Sequence, residues 1–382
     1  MPSTELRQTV LRSARRLVVK VGTGLLTTSD GRKPGLDLNY IRRIARQIAN
    51  LRAKGYEITL VVSGAIGAGC LELGLKQRPR DVADQQAVAA VGQRKLMAHM
   101  HQAFGRHKIN VAQMLVTRGD FDDRVRFLNI RNCISRIHDL GCVPIINEND
   151  TVAVDEIRFG DNDLLAALTT NAIRADALVL LTVVDGLLDV DGRRVDLIDN
   201  VTDTLSLARR GTSQWGTGGM LSKLEAARVA TEAGEIAVIA NGRETNVLAR
   251  LLDGEPLGSV FVPAARKLDS RQRWIALAAR PAGTITIDDG AARAVTARGK
   301  SLLATGVADL TGRFERGDIV LVRDPRGREL ARGLTNYSAD ELRLIQGKRS
   351  TQFAAILGRE AYDEVIHRNN LVVLTPAVAA IK

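Results

Sequence analysis

Two carboxylates and an amide, Asp161, Asn162 and Asp163, stand together directly after Gly160, where a helical apolar pattern begins. A helix N-cap accounts for one such side chain, because one capping oxygen satisfies free backbone N–H groups of the first turn. The second carboxylate and the amide between the two are not explained in this way. The stretch therefore indicates a binding site in which acid and amide groups act together.

Two lysines lie in glycine-rich loops, a pattern typical of phosphate binding. Lys20 ends an apolar run and is followed by VGTG, and Lys223 follows GTGGMLS (216–222) at the start of a helical pattern. A buried lysine is costly unless it faces a charged partner, and glycines let backbone N–H groups approach an anion. The second loop does not have the spacing of the P-loop GxxxxGK[ST]. The second loop still indicates a phosphate loop of another kind, whereas the glycines of the first could instead only turn the chain, with Lys20 reaching solvent.

Two further polar loops follow predicted strands. SGAIGAG begins at Ser63 after the strand 58–62, and NEND (147–150) follows the strand 143–146. Small residues that open a helix form an anion site, although close packing of helix on strand explains them equally well. Residues 151–159 alternate like a hairpin that joins NEND to the opening stretch. Because ligands gather beyond the carboxyl ends of parallel strands, these loops are expected to meet.

Two lysines and orienting carboxylates suit phosphoryl transfer, in which the protein positions the reactants and neutralises charge. An acceptor that is itself an ionised carboxylate needs no general base. The sequence contains no HExxH motif and no GxSxG motif, and its five histidines have no partners at metal-ligand spacing. Phosphorylation of an acidic substrate is therefore the favoured chemistry.

The elements that must hold these residues alternate between strand and helix. Apolar strands are predicted at 17–21, 58–62, 111–115, 143–146, 178–182 and 236–240, with a helix indicated by apolar residues from Leu38 to Leu51. Strands that are apolar throughout indicate a largely parallel sheet covered by helices on both faces. The expected fold class is α/β with this sandwiched sheet.

The chain of 382 residues is long enough for two domains. A polar, basic segment at 266–280 predicts a linker between a domain at 1–265 and one at 281–382. In the second, strands at 284–287, 318–322 and 329–334 with turn signals such as DDG (288–290) predict a small β-rich domain.

The net charge of +11 favours anionic partners without choosing among them. An odd count of three cysteines without a CxxC pair, and a first segment without an apolar signal core, predict a cytoplasmic protein. Apolar runs of strand length predict no membrane span.

The motifs VVKVGTGLL, VVSGAIGAG, INENDTVAVDEIRFGDNDLLAAL and GTGGMLSKLEAA resemble, in order and spacing, those of the glutamate 5-kinase family, which has the amino-acid kinase fold. The resemblance covers nearly the whole chain, since GRFERGDIVLVRDPRGRELARGLTNYSADEL is similar to the PUA domain of many bacterial members. It implies ATP-dependent phosphorylation of the side-chain carboxylate of L-glutamate, the first step of proline biosynthesis.

The resemblance also implies roles for particular residues. Lys20 and Lys223 would stabilise the transferring phosphoryl group, while Asp161 and Asp163 would organise the lysines and the Mg²⁺ bound with ATP, Asp163 being the favoured lysine organiser. Asp161 and Asp163 are the only side chains that the resemblance offers as ligands of this metal ion. The implied glutamate-binding residues are Ser63, Asn147, Asp150 and Asn162, and the implied ATP-binding residues are Lys20, Gly22, Thr182, Thr217, Gly218, Gly219, Met220, Leu221, Ser222 and Lys223.

One position departs from the family pattern. Where members commonly have Leu-Thr-Asp, this chain has Val183 after Thr182, with Asp185 two positions later. The departure puts nucleotide contacts at that position in question. The family further implies proline as feedback inhibitor and a homodimer or homotetramer.

Two rival functions are kept open. The nearest is another kinase of the same fold that acts on acetylglutamate, aspartate or a nucleoside monophosphate. The second is RNA binding by the PUA-like tail, which the tail's nearly balanced charge and few aromatic residues disfavour.

Overall fold

The computed structural model describes residues 3–28, 35–153, 162–201, 204, 219–263, 270–278, 280–359 and 361–374. The chain divides into two compact units, the first comprising 1–121 and 125–267, and the second 122–124 and 268–382. The predicted limits of the linker, 266–280, stay a prediction. Within the ranges given above, no helix has the length and apolar character that crossing a membrane requires.

The first unit is built on a sheet whose described strands run in the order β5-β6-β4-β1-β7-β9-β10-β8. Neighbouring strands are parallel, except that β10 runs antiparallel to β9. The predicted, largely parallel sheet is therefore confirmed, and the reversed direction of β10 and β8 at one edge was not foreseen. The bounds are β1 (Arg16–Val21), β4 (Glu57–Val62), β5 (Val111–Val116), β6 (Val143–Glu148), β7 (Ala177–Thr182), β8 (Leu197–Ile198), β9 (Ile236–Asn241) and β10 (Ser259–Phe261), with a separate pair β2 (Thr27–Thr28) and β3 (Gly35–Leu36).

Helices connect these strands, and two of them begin at an aspartate cap. The Asp37 carboxylate accepts from the Tyr40 N–H at 2.9 Å and caps the helix predicted around 38–51. Asp81 caps the helix Val82–Gly105 in the same way, through the N–H of Ala83 at 2.9 Å. The bounds are α1 (Ser3–Ser13), α2 (Thr23–Leu26), α3 (Leu38–Ala53), α4 (Ala65–Glu72), α5 (Val82–Gly105), α6 (Arg118–Asp122), α7 (Arg124–Asp139), α8 (Asn162–Ile173), α9 (Met220–Glu232) and α10 (Val247–Leu252).

The central strand β1 sends alternate side chains to opposite faces of the sheet. Leu17, Val19 and Val21 are fully buried in the large core that includes Ile44 of α3. Lys20 consequently faces the other side, where α8 packs against β1 and α9 packs against α8. The alternation of side chains along β1 therefore directs Lys20 towards α8 and α9. These helices follow the predicted acid loop and the predicted phosphate loop.

Glycines of the SGAIGAG stretch serve a close contact between two helices. A Cβ on Gly69 of α4 would lie 1.9 Å from the Val88 carbonyl oxygen of α5, and one on Gly92 of α5 would lie 1.8 Å from the Ala65 carbonyl oxygen of α4. The alternative explanation by close packing therefore holds for Gly69, although α4 packs there against the helix α5 and not against a strand.

Replacing Gly92 by alanine should push α4 and α5 apart. We expect a loss of about 3 kcal/mol in the free energy of unfolding, the scale of a severe overpacking, measured by urea unfolding. Gly105→Ala is the matched control, since a Cβ on Gly105 at the end of the same helix meets nothing within 4 Å. Equal midpoints for the two variants would contradict the close contact.

The second unit is a strand-rich domain whose sheet has the order β12-β11-β13-β14-β15. The three predicted strands are confirmed, and the two others were missed. The DDG turn was wrong, because Asp288 caps a helix by accepting from the Ala291 N–H at 2.7 Å. The bounds are β11 (Gly283–Ile287), β12 (Val307–Gly312), β13 (Ile319–Arg323), β14 (Glu329–Leu334), β15 (Leu371–Val373), α11 (Ser270–Arg273), α12 (Asp289–Arg298), α13 (Ala339–Ile345) and α14 (Phe353–Leu357).

Candidate active site

One carboxylate, Asp163, contacts both lysines of the predicted phosphate loops. Lys20 Nζ lies 2.6 Å from Asp163 Oδ1, and Lys223 Nζ lies 3.0 Å from Asp163 Oδ2. The Ser222 hydroxyl donates to the same Oδ2 at 2.8 Å. The Asp163 side chain is 0% exposed, and those of Lys20 and Lys223 are 6% and 9% exposed. The cluster is therefore buried and combines two positive charges with one negative charge.

The electrostatics of this cluster keep its carboxylate ionised. Burial alone would raise the pKa of Asp163, but the charges and hydrogen bonds of Lys20 and Lys223 outweigh it and lower the pKa to about 2. Burial lowers the pKa of Lys20, an effect that Asp163 opposes and Lys223 reinforces. Two ammonium groups held by one carboxylate attract a further anion, and their positions on separate elements suit a ligand with several negative oxygens.

Three elements place the cluster at the carboxyl edge of the sheet. Lys20 is the penultimate residue of β1, Asp163 lies in the first turn of α8, and Lys223 lies in the first turn of α9. The N-termini of α8 and α9 add partial positive charge, which favours phosphate oxygens. Gly22 follows β1 and donates its N–H to the Leu181 carbonyl at 3.1 Å, so the glycine loop crosses the end of β7.

A second group of polar side chains forms a buried amide network beside the cluster. Asn162 Nδ2 donates to Val62 O at 3.0 Å, to Ser63 Oγ at 2.9 Å and to Asn147 Oδ1 at 3.1 Å. Asn147 Nδ2 donates to Gln93 Oε1 at 2.7 Å. Since Asn162 precedes Asp163 directly, the network and the charged cluster adjoin. The network therefore adds amide and hydroxyl groups to the phosphate-type cluster.

Asn162 retains an unused acceptor. Its Oδ1 atom is buried and has no hydrogen-bond partner among the described residues. Leaving such a group unsatisfied costs roughly 1–3 kcal/mol, so a bound donor at this atom would recover free energy. The site is thereby ready for a ligand that brings an N–H group.

Asp150 lies in a cavity of about 350 Å³ that borders the network. Burial raises the pKa of its carboxyl to about 6, against the opposing charge of Arg78. Asp150 is not a hydrogen-bonding partner of the network within the described part of the chain. The cavity is lined by Ala89, Ala90, Gln93, Arg94, Gln113, Leu115, Glu148, Asn149, Asp150 and Thr151.

The predicted nucleotide side is only partly described. Thr182 ends β7, and its carbonyl accepts from the Gly242 N–H at 2.8 Å. Val183 is 47% exposed. Asp185, the next carboxylate along the chain, accepts from Asn241 Nδ2 at 2.8 Å. Asp185 is therefore engaged by Asn241 and does not simply replace the carboxylate that position 183 lacks.

Several predicted residues lie outside the described part of the chain. These are Asp161, Thr217, Gly218 and most of the predicted hairpin, from residue 154 onward. Gly219 is exposed at the start of α9, Met220 is half-buried and Leu221 is 48% exposed.

The structure brings together Lys20, Asp163 and Lys223 in one cluster, and Ser63, Asn147 and Asn162 in the adjoining network. Sequence reasoning missed Gln93, which is 9% exposed in the middle of α5. No motif in the neighbouring sequence distinguishes Gln93 from any other partly buried residue of a helix. The role of Ser222 was predicted as ATP binding, and its contact with Asp163 was not foreseen.

Comparison with family profiles shows that the fold is that of a family of kinases. The profile of the amino acid kinase family matches residues 15–241, and that of the PUA domain matches residues 283–357. The predicted fold class and the resemblance are confirmed by these matches.

Curated relatives narrow the class. Glutamate 5-kinase of Synechococcus sp. is 45% identical over 365 residues, covering 94% of this chain and 98% of that protein. Glutamate 5-kinase of Caldanaerobacter subterraneus is 45% identical over 366 residues, with 94% and 98% covered, and that of Citrifermentans bemidjiense is 43% identical over 376 residues, with 97% and 100% covered. The chain belongs to the glutamate 5-kinase family.

Proposed function

We propose that this chain transfers the γ-phosphoryl group of ATP to the side-chain carboxylate of L-glutamate, giving L-glutamyl 5-phosphate and ADP, as the first step of proline biosynthesis. Family membership supports the reaction. The observation that supports it most directly in the structure is the buried Asp163 between Lys20 and Lys223.

The two ammonium groups fit the demands of the transfer. A carboxylate oxygen of glutamate forms a bond to the γ-phosphorus while the bond to the β–γ bridging oxygen breaks, and ADP leaves with the electron pair. Negative charge on the phosphoryl oxygens and the leaving group is stabilised by Lys20 and Lys223, which Asp163 holds in place. The glutamate side chain has an ordinary pKa of about 4.3 and is ionised at neutral pH, so no base has to remove a proton.

For glutamate binding we propose that Asn162 Oδ1 and Asp150 face the ammonium group, and that Ser63 and Asn147 complete the site. The unused acceptor on Asn162 supports this assignment. Both polar ends of Asn147 are engaged within the protein. Asn147 is therefore assigned to organising the site and not to direct contact.

For ATP we propose contacts from Gly22, Thr182 and residues 217–222, besides Lys20 and Lys223. The described residues contain no group of three side chains able to hold a metal ion. Both oxygens of Asp163 are engaged by ammonium groups. We therefore assign Mg²⁺ to the phosphate oxygens of ATP, with Asp161 as the candidate carboxylate; the ion would neutralise phosphate charge.

Three remaining proposals rest on family membership alone. They are feedback inhibition by proline, assembly into a homodimer or homotetramer, and a cytoplasmic location. Each extends the family's known character to this chain, and none enters the assignment of the phosphoryl-transfer residues.

The function is tested by an ADP-release assay that offers glutamate, aspartate, acetylglutamate and a nucleoside monophosphate in turn, each with ATP and Mg²⁺. We expect turnover with glutamate, and formation of the hydroxamate when hydroxylamine traps the acyl phosphate. ADP release with another acceptor and none with glutamate would overturn the proposal.

The carboxylate of Asp150 should make glutamate use depend on pH. Its pKa of about 6 means that it loses its charge as the pH falls below that value. We expect kcat/KM for glutamate to fall about tenfold per pH unit below pH 6, because a neutral acid no longer attracts the ammonium group. Asp150→Asn should lower kcat/KM and remove this acid limb. An unchanged limb in that variant would assign it to another group.

A further inference from the structure

In the amide network beside Asp163, backbone groups fix which atom of each asparagine donates and which accepts. Asn162 Nδ2 meets the carbonyl of Val62 at 3.0 Å, and Asn147 Oδ1 accepts the N–H of Glu148 at 2.9 Å. A carbonyl can only accept and an N–H can only donate, so neither asparagine can flip its amide without losing a bond. Asn147 Nδ2 is thereby left as the donor that faces Gln93.

Gln93 completes the network from a distant part of the chain. Its Oε1 accepts from Asn147 Nδ2 at 2.7 Å across a separation of 54 residues. This bond forces its Nε2 to be the remaining donor, which is buried without a partner among the described residues. The network thus runs from the free acceptor of Asn162 at one end to Gln93 at the other.

A purely structural role would leave this arrangement unexplained. Structural amides in a protein interior usually have their polar atoms satisfied, whereas the two ends of this network, Asn162 Oδ1 and Gln93 Nε2, have no hydrogen-bond partner in the part of the chain that the structure describes. Gln93 also lines the cavity that contains Asp150. Gln93 therefore links helix α5 and the wall of this cavity to the asparagine pair, Asn147 and Asn162.

We propose that Gln93 is a positioning residue for glutamate. By accepting from Asn147 Nδ2, it holds in position an amide whose orientation the backbone already sets and whose Oδ1 accepts from Asn162, and so supports the placement of Asn162 Oδ1 towards the substrate ammonium group. This proposal rests on the proposed function, and it adds a residue in the middle of α5 to a site otherwise built from the ends of β1 and β6, the residue after β4 and the first turns of α8 and α9.

The test compares two substitutions of Gln93 in the full-length enzyme. Gln93→Met keeps the length but removes the acceptor, so we expect KM for glutamate to rise about tenfold, with kcat and KM for ATP within about threefold. Gln93→Glu keeps an acceptor for Asn147, so we expect a KM for glutamate closer to wild type. Gln102→Met, at an exposed position of the same helix, should match wild type.

A double-substitution cycle separates action through Asn162 from other roles. In an Asn162→Ala background, Gln93→Met should have little further effect on KM for glutamate, because the residue through which it acts is gone. Additive effects would overturn the proposal, as would a Gln93→Glu variant that binds glutamate worse than Gln93→Met, since that result makes Gln93 Nε2 a direct donor to substrate.

Two other results are also decisive. Equal losses in kcat and in both KM values, together with a lower melting temperature, would make Gln93 merely structural. Wild-type enzyme that turns over another acceptor but not glutamate would instead refute the proposed function, and the same variants measured with that acceptor would then test Gln93 independently.

Discussion

Asp163→Asn should lower kcat for glutamate phosphorylation about 10²-fold, the scale expected when a group that orients catalytic charges is lost. The neutral amide cannot bind two ammonium groups as the carboxylate does, at 2.6 Å and 3.0 Å. KM for ATP should change much less than kcat, because both positive charges remain available to the phosphates. Initial rates of ADP release at varied ATP and glutamate give these constants.

The same substitution should move the alkaline limb of the pH profile to lower pH. Burial lowers the pKa of Lys20 and the Asp163 charge opposes that effect. Removing the charge lowers this pKa further, so Lys20 loses its proton at a lower pH than in the wild type. An alkaline limb at the wild-type pH would contradict the shared role of Asp163.

Glu72→Gln is the matched control. Glu72 also meets two cations, Arg94 at 3.4 Å and Lys95 at 2.9 Å, but this group lies at the surface with the Glu72 side chain 32% exposed. Surface ion pairs contribute little, so we expect kcat to stay within about twofold of wild type. A loss in the control equal to that of Asp163→Asn would point to a general electrostatic effect.

Lys20→Met should lower kcat about 10²- to 10³-fold, the range found when one group that stabilises transition-state charge is removed. Methionine approximates the length and volume of the lysine stem, so the buried position on β1 stays filled. Asp163 keeps Lys223 and Ser222 as partners, which limits the structural damage. The measurement is single-turnover phosphoryl transfer, which separates chemistry from product release.

Lys95→Met provides the control for this variant, because its ammonium group pairs with Glu72 at the surface. We expect wild-type rates there. If Lys20→Met retained full single-turnover rates, Lys20 would not act on the transferring phosphoryl group, and Lys223 would have to do so without it.

Much of the fold follows from local sequence. The β-branched run of β1 and the helical spacing of α3 predict their elements. A strand buried on both faces needs a continuous apolar run, and a helix buried on one face needs apolar residues at helical spacing. The strands β12 and β15 were missed, since their burial depends on a neighbouring strand and not on their own pattern. Asp288 was misassigned for a different reason, since a helix cap and a turn use the same residue types.

The sequence by itself determined which groups are available: two lysines in glycine loops, the acid and amide stretch at the start of α8, and the apolar strands that bury them. Only the tertiary structure decided that one carboxylate serves both lysines, that Asn162 bonds across 100 residues to Val62, and that Gln93 joins the network. Periodicity reports how a segment buries its own faces. Contacts between distant segments depend instead on strand order and helix packing, which no local pattern records.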